Sequence, residues 1–245
     1  MLLRKKLQKI GDTFFRFRSY IPFVLVVLFF IEKKHFHYPK GGFLFEEILE
    51  YMCFSVSLFG FLIRVIVTGY ARTGTSGRNT KGQWAKELNT DGLYSIVRNP
   101  IYLGNIFIIL GVSMLSQSYE IVLINFLFSI CFYVPIIIRE EEFLLQTFKE
   151  KFLNYAQCTP ALLPNFKLWK RPELKFNFLR ALYREHDTFI GLIFGFFSIE
   201  MLREYAINKR FYPEQPWTSI FIVALIIWGI LKTLKKYLKS IDKGV

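Results

Sequence analysis

Apolar residues recur along this chain in blocks, not in the three-to-four periodicity of a soluble amphipathic helix, and polar or basic stretches separate the blocks. The cleanest block is Ile121–Ile138, which as a helix is about 27 Å long and close to the thickness of a hydrocarbon core. Further spans are predicted at Tyr20–Ile31, Ile48–Val67, Ile101–Leu115, Phe189–Met201 and Trp217–Leu231, several short enough to depend on their flanks or neighbours. The expected fold is therefore all-α, a polytopic transmembrane helical protein of about six spans, five being the alternative. Three regions are expected: N-terminal membrane spans over residues 1–70, a central core over 71–170, and a C-terminal membrane hairpin with a basic tail over 171–245.

Composition supports the bilayer, with 53% hydrophobic residues and 28 phenylalanines among 245 residues. The basic run of Arg4, Lys5, Lys6, Lys9, Arg16 and Arg18 precedes the first span, which lacks a small-residue cleavage site and is expected to remain as an anchor. By the lysine and arginine asymmetry, both termini and the segments Tyr70–Pro100 and Arg139–Asp187 face the cytoplasm, with only Lys33, Lys34 and Lys40 dissenting. The net charge of +13 lies in blocks at the ends of apolar spans, where anionic headgroups, not nucleic acid, are the nearest partners.

Cys53, Cys131 and Cys158 have neither disulfide nor metal-ligand spacing and read as packing residues. His35 and His37 form an H-x-H without further ligands nearby, which points to an interfacial loop. Arg64 near the end of the second span is expected to snorkel, and Arg203 and Glu204 to act as interfacial anchors.

The candidate chemistry lies in the inner segments. "ARTGTSGRNTKGQWAKELNT" interleaves Arg72, Arg78 and Asn79 with glycines and hydroxyls, a composition suited either to an anion-binding nest or to a solvated linker. "GLYSIVRNPIYLGN" then returns to the membrane: Pro100 suits the first turn of a helix and Asn99 its cap, whereas Arg98 at this depth needs an anionic partner. "REEEFLLQTFKEKFLNY" supplies candidates in Glu140, Glu141 and Glu142, which at about 100° per residue cannot all share one face.

Together these segments resemble the integral-membrane methyltransferases that include isoprenylcysteine carboxyl methyltransferases and phospholipid methyltransferases. The matching positions are Gly92, Tyr94, Arg98, Pro100, Tyr102 and Gly104, then Glu140, Glu141, Leu144, Phe148 and Tyr155, closed by Pro160 and Pro164. The chain departs from the family pattern at Asn99 for histidine, Lys149 for glycine and Phe152 for tyrosine. An amide can donate and accept hydrogen bonds but cannot relay a proton near neutral pH.

The resemblance implies S-adenosyl-L-methionine as donor, held by Tyr94, Arg98, Pro100, Tyr102, Gly104, Glu140 and Glu141, with Arg98, Asn99 and Glu141 at the reaction centre. It implies a membrane lipid acceptor entering from the bilayer, a cofactor site of short cytoplasmic helices and loops, and a bacterial inner-membrane setting. Arg72, Arg78 and Asn79 are the candidate acceptor contacts. The segment around them is also similar to the subset of the family that methylates lipid A phosphate, which favours a lipid phosphate; an isoprenylcysteine-type carboxylate and an ethanolamine headgroup are the rivals. Outside that class stand a non-catalytic scaffold or transporter component and the nicotinamide-dependent sterol reductases of similar fold.

Overall fold

The computed structural model describes residues 2–17, 43–72, 75, 85–211 and 216–241. Eight α-helices follow in order: α1 (Leu2–Phe17), α2 (Phe43–Tyr70), α3 (Leu93–Ile96), α4 (Pro100–Met114), α5 (Tyr119–Phe148), α6 (Glu150–Cys158), α7 (Phe178–Asn208) and α8 (Trp217–Ile241). A 3₁₀ turn, Phe166–Leu168, precedes α7, and among the described residues there is no strand, only an isolated bridge between Gly92 and Lys170. Among the described residues three helices are long and apolar enough to cross a membrane, at Glu47–Tyr70, Tyr119–Phe148 and Trp217–Lys235, and Pro100–Met114 is a shorter apolar helix. The fold is thus all-α and polytopic. The predicted span Tyr20–Ile31 and the histidines His35 and His37 lie outside the described residues. The predicted span Phe189–Met201 is the middle of the 31-residue α7, whose ends carry buried charge.

Small residues set the central crossing. A Cβ on Gly104 of α4 would sit 2.7 Å from the Gly60 carbonyl of α2 and 2.8 Å from Arg64 Cγ, so the two backbones touch there. One heptad further along α4, Gly111 lies against Ser57 and Cys53, and Ser57 donates its hydroxyl to the Ile108 carbonyl at 2.9 Å. Close backbone approach of this kind is how apolar helices associate when lipid removes the hydrophobic drive.

Two apolar clusters fill the space around this crossing. One joins α2, α4, α7 and α8 through Cys53, Ile193, Phe196, Ile199 and Trp217, with the Phe196 and Trp217 rings stacked at 5.1 Å. The other joins α1, α4 and α5 through Phe15, Tyr102, Ile106, Phe132, Tyr133 and Ile136. In the second, α1 lies across α5 at Pro135: Gly11 leaves room for the Pro135 carbonyl, Phe14 stacks on Phe132 at 4.5 Å, and Asp12 pairs with Arg139. Cys53 is buried as expected of a packing residue, whereas Cys131 and Cys158 are exposed, because their positions on α5 and α6 point away from the bundle.

Two charged positions behave differently from the sequence expectation. Arg64 does not snorkel: its guanidinium is 11% exposed and donates to Glu185 Oε2 and, through Nη1, to Asn105 Oδ1 at 2.6 Å, with Thr188 Oγ1 at 3.1 Å. Arg203 and Glu204 are not interfacial anchors either, being 5% and 3% exposed. Arg203 Nη2 donates to Glu50 and Glu200 at 2.7 Å each, and Trp217 Nε1 donates to Glu50 at 3.1 Å, which ties α2, α7 and α8 together. In both places a charge inside the bundle is reachable by a carboxylate from a helix distant in sequence, a partner that no local pattern reveals.

Candidate functional site

The site forms where α2 ends and α4 begins. Gly92 takes φ +56°, a conformation in which a side chain is strained, and so turns the backbone into the four-residue α3. Pro100 occupies the first turn of α4 as predicted, but Asn99 does not cap it with its side chain. The amide instead donates to Glu141 Oε1 at 3.0 Å and to the Ala161 carbonyl at 3.2 Å. These two bonds orient the amide by its NH2 group toward Glu141 and Ala161, and its oxygen accepts no N–H of the helix.

Arg98 has the anionic partner its depth demanded. Nε and Nη2 reach Glu141 Oε1 and Oε2 at 2.8 and 3.1 Å, and Nη1 donates to the carbonyls of Ala156 and Thr159. The Arg98 backbone N–H bonds the Pro160 carbonyl at 2.9 Å. Arg98, Asn99 and Glu141 therefore form one closed network that binds the start of α4 to the far end of α5 and to residues 156–161. Tyr155 extends it, its hydroxyl donating to the Tyr94 carbonyl at 2.6 Å.

The three adjacent glutamates divide, as helical geometry requires. Glu141 faces Arg98, while Glu140 lies close enough to Tyr94 to act on its phenol. Burial first, and then the Glu140 charge, push the Tyr94 phenol above its ordinary range; burial first, then Tyr94, does the same to Tyr155. Both hydroxyls are protonated donors at neutral pH. Tyr102 and Gly104, from the same motif, lie deeper: Tyr102 is buried against Tyr133 with ring centroids 5.1 Å apart, and Gly104 is at the α2–α4 crossing.

Beside α3 a small cleft, enclosing about 20 Å³, runs between the end of α2 and the segment before α7. Tyr70, Tyr94 and Trp169 give it aromatic walls, and Asn89 and Asp91 are its polar lining. Arg72 stands nearby between two carboxylates, Glu87 at 3.0 Å and Glu173. Arg78 and Asn79 lie outside the described residues. Among the described residues no group of histidine, cysteine and carboxylates could hold a metal ion.

Sequence reasoning missed two contributors. The Arg64–Glu185–Asn105 network underlies the motif helix, and the only local signal was an arginine inside an apolar run. The segment after Pro164 wraps the site: Asn165 N–H bonds the Ile96 carbonyl at 2.9 Å, Lys170 N–H the Ser95 hydroxyl at 2.9 Å, and Glu173 N–H the Asp91 carboxylate at 2.8 Å. On the strap the donors are backbone N–H groups, which leave no side-chain pattern to read there.

A helical membrane protein with an Arg–Glu lock and an aromatic cleft at one end of its helices is the arrangement the two motifs implied. Residues 51–151, which contain the α2–α4 crossing, Arg98 and Glu141, match the family model described as phospholipid methyltransferase. That family is among the membrane methyltransferases the motifs resemble. The chain is also 34% identical over 89 residues to the cobalt-zinc-cadmium resistance protein CzcN of Cupriavidus metallidurans, a match covering 36% of this chain and 41% of the relative. It is 35% identical over 125 residues to the nickel-cobalt-cadmium resistance protein NccN of Alcaligenes xylosoxydans xylosoxydans, covering 50% of this chain and 58% of the relative. The chain thus spans about half the length of these relatives. No solved structure matches it.

Proposed function

We propose that this chain transfers a methyl group from S-adenosylmethionine to the headgroup of a membrane lipid, at the end of the bundle where Arg98, Glu141 and Tyr94 meet. The observation that carries the reading is the bidentate Arg98–Glu141 pair shared with Asn99, because it builds both motif segments of a methyltransferase family into one wall. The residues fit the donor: aromatic rings of Tyr94 and Trp169 beside the cleft suit a sulfonium and an adenine, and Asp91 with Glu140 suits an amino group or ribose hydroxyls. S-adenosylmethionine would supply an electrophilic methyl group on sulfur. The protein's own task is to position the acceptor for in-line displacement and to keep water out.

In this reading Arg98, Asn99 and Glu141 are positioning residues, since their hydrogen bonds go to one another and to loop carbonyls. Tyr102 and Gly104 serve through packing, and Pro100 through the start of α4. In this reading the work lies in residues 71–170, with the helices on either side as its frame, and the family match over residues 51–151 supports it.

The acceptor we propose is an amine headgroup of the ethanolamine type. A lipid phosphate was favoured by the arginines of the 71–90 segment, but Arg72 is neutralised by Glu87 and Glu173, and the polar lining of the cleft is Asn89 and Asp91. The cleft lining therefore carries a carboxylate and no cation. An ammonium must also lose a proton before it can attack, and a carboxylate beside the cleft is a suitable acceptor.

The experiment is incorporation of labelled methyl from S-adenosylmethionine into lipid of membranes carrying the chain, followed by mass spectrometry of the product. A methylated amine is expected. A methylated phosphate or carboxylate would replace the acceptor assignment, and binding of NADPH in place of the donor, or of neither, would withdraw the methyltransferase reading. Both relatives are named for resistance to divalent metals, so we place the chain's lipid chemistry in membranes facing such cations; unchanged growth under cobalt or cadmium with and without the chain would sever that link.

A further inference from the structure

The segment between Pro164 and α7 is pinned at each end beside the mouth of an apolar helix, and between the ends Lys170 and Glu173 bond Ser95 and Asp91. At its start Asn165 bonds the carbonyl of Ile96, four residues before α4 begins. At its end Asn177 N–H bonds the carbonyl of Gly69 at 3.0 Å, in the last turn of α2, and the Phe176 ring packs on Gly69 and Tyr70. The strap therefore runs from one helix mouth to another, at the level where the bundle leaves the hydrocarbon.

Its outward face is unusual for a solvated loop. Leu163 is 81% exposed, Phe166 76% and Phe178 66%, and Trp169 is exposed while also lining the cleft. Between them stand Lys167, Lys170, Arg171 and Lys175, all exposed. The one acid, Glu173, is turned to Arg72. Apolar and aromatic side chains interleaved with cations are what the headgroup layer of an anionic leaflet receives: rings at the acyl boundary and charges among the phosphates.

We propose that this strap, residues 163–179, is a docking surface for anionic phospholipid, lying in the headgroup layer and enriching negatively charged lipids at the mouth of the cleft. The inference stands apart from the methyl-transfer reading, since it needs only the pinning and the face of the strap. It also gives Trp169 two surroundings at once, the cleft on one side and the leaflet on the other.

The test uses the full chain in lipid nanodiscs and takes Trp169 emission as the difference between the protein and its Trp169→Phe variant. Brominated phosphatidylglycerol, present as a minority lipid in phosphatidylcholine, is expected to quench Trp169 more strongly than brominated phosphatidylcholine at the same fraction. The variant K167Q/K170Q/R171Q/K175Q should lose that excess, local enrichment of the anionic lipid falling about fivefold per charge removed at low salt. Its helical circular dichroism and thermal midpoint, checked alongside, are expected to stay those of the parent protein. Equal quenching by the two brominated lipids in the parent protein would overturn the preference for anionic lipid. Absence of quenching by either would show that the strap does not lie in the leaflet, and that its apolar face serves another partner.

Discussion

Arg98, partly buried, and Arg203, fully buried, both stand beside glutamates, at opposite ends of the bundle, yet they are held differently. Arg98 divides its donors between one carboxylate, Glu141, and two loop carbonyls, and an aromatic cleft opens beside the same motif. Arg203 reaches two carboxylates on two helices, Glu50 and Glu200, and its surroundings are packed rings, Phe54, Phe196 and Trp217. Burial of a charge is common to both, so burial alone does not mark chemistry. The difference is what the charge fastens: loops around an opening in one case, membrane helices to one another in the other.

The largest effects come from removing each arginine. Arg203→Ala should cost about 3–5 kcal/mol, because it leaves the buried Glu200 without its partner, and Arg98→Ala about 1.5–3 kcal/mol, because Glu141 keeps some access to solvent. Only Arg98→Ala is expected also to lose donor binding; thermal unfolding beside calorimetric titration with S-adenosylmethionine separates the two, and equal loss of binding in both variants would erase the contrast. Next, Gly104→Ala should destabilise by about 1–3 kcal/mol through overpacking at the Gly60 carbonyl, with the damage reported at the Arg98 end by lowered activity.

Smaller effects sharpen the account of the Arg98 end. Asn99→Ala removes the donor shared by Glu141 and Ala161 and should cost about 1–2 kcal/mol in denaturant unfolding, with Arg98 and Glu141 still paired. A histidine at the same position can satisfy only one of those acceptors through each ring nitrogen, so Asn99→His should recover part of the loss. Lys149→Gly should raise stability by about 0.5–1 kcal/mol, since Lys149 takes φ +45° at the junction of α5 and α6. A lowered melting temperature there would mean that the lysine side chain repays its strained backbone.

That last position shows how sequence and structure informed each other. The departure from glycine at Lys149 was visible in the motif, but its cost becomes apparent only with the dihedral. The helical membrane class, the entry of α4 at Pro100 and the need of Arg98 for a carboxylate were all legible, because each follows from local hydropathy, ring geometry or the desolvation of a charge. The choice of Glu141 over Glu140, the diversion of Asn99 from its capping role and the burial of Arg64 and Arg203 were not legible. They depend on which helices meet, and partners such as Arg64 and Glu185 are separated by 121 residues. The wrapping of the site by residues 165–173 escaped for a related reason: it is made largely by backbone groups, which every sequence possesses.

The seat of α1 on α5 has a consequence in time. Asp12 and Arg139 are 127 residues apart, and the Pro135 carbonyl that Gly11 accommodates is similarly distant along the chain. At a synthesis rate of about 5–20 residues per second, α1 leaves the ribosome roughly ten seconds before its docking surface exists. During that interval an apolar face bearing Phe14 and Phe15 has no protein to cover it, and the nearest apolar medium is the membrane surface. The segment that completes the brace behind Arg139 must therefore wait at the bilayer and be recaptured, so that this end of the molecule cannot assemble until α5 has been made.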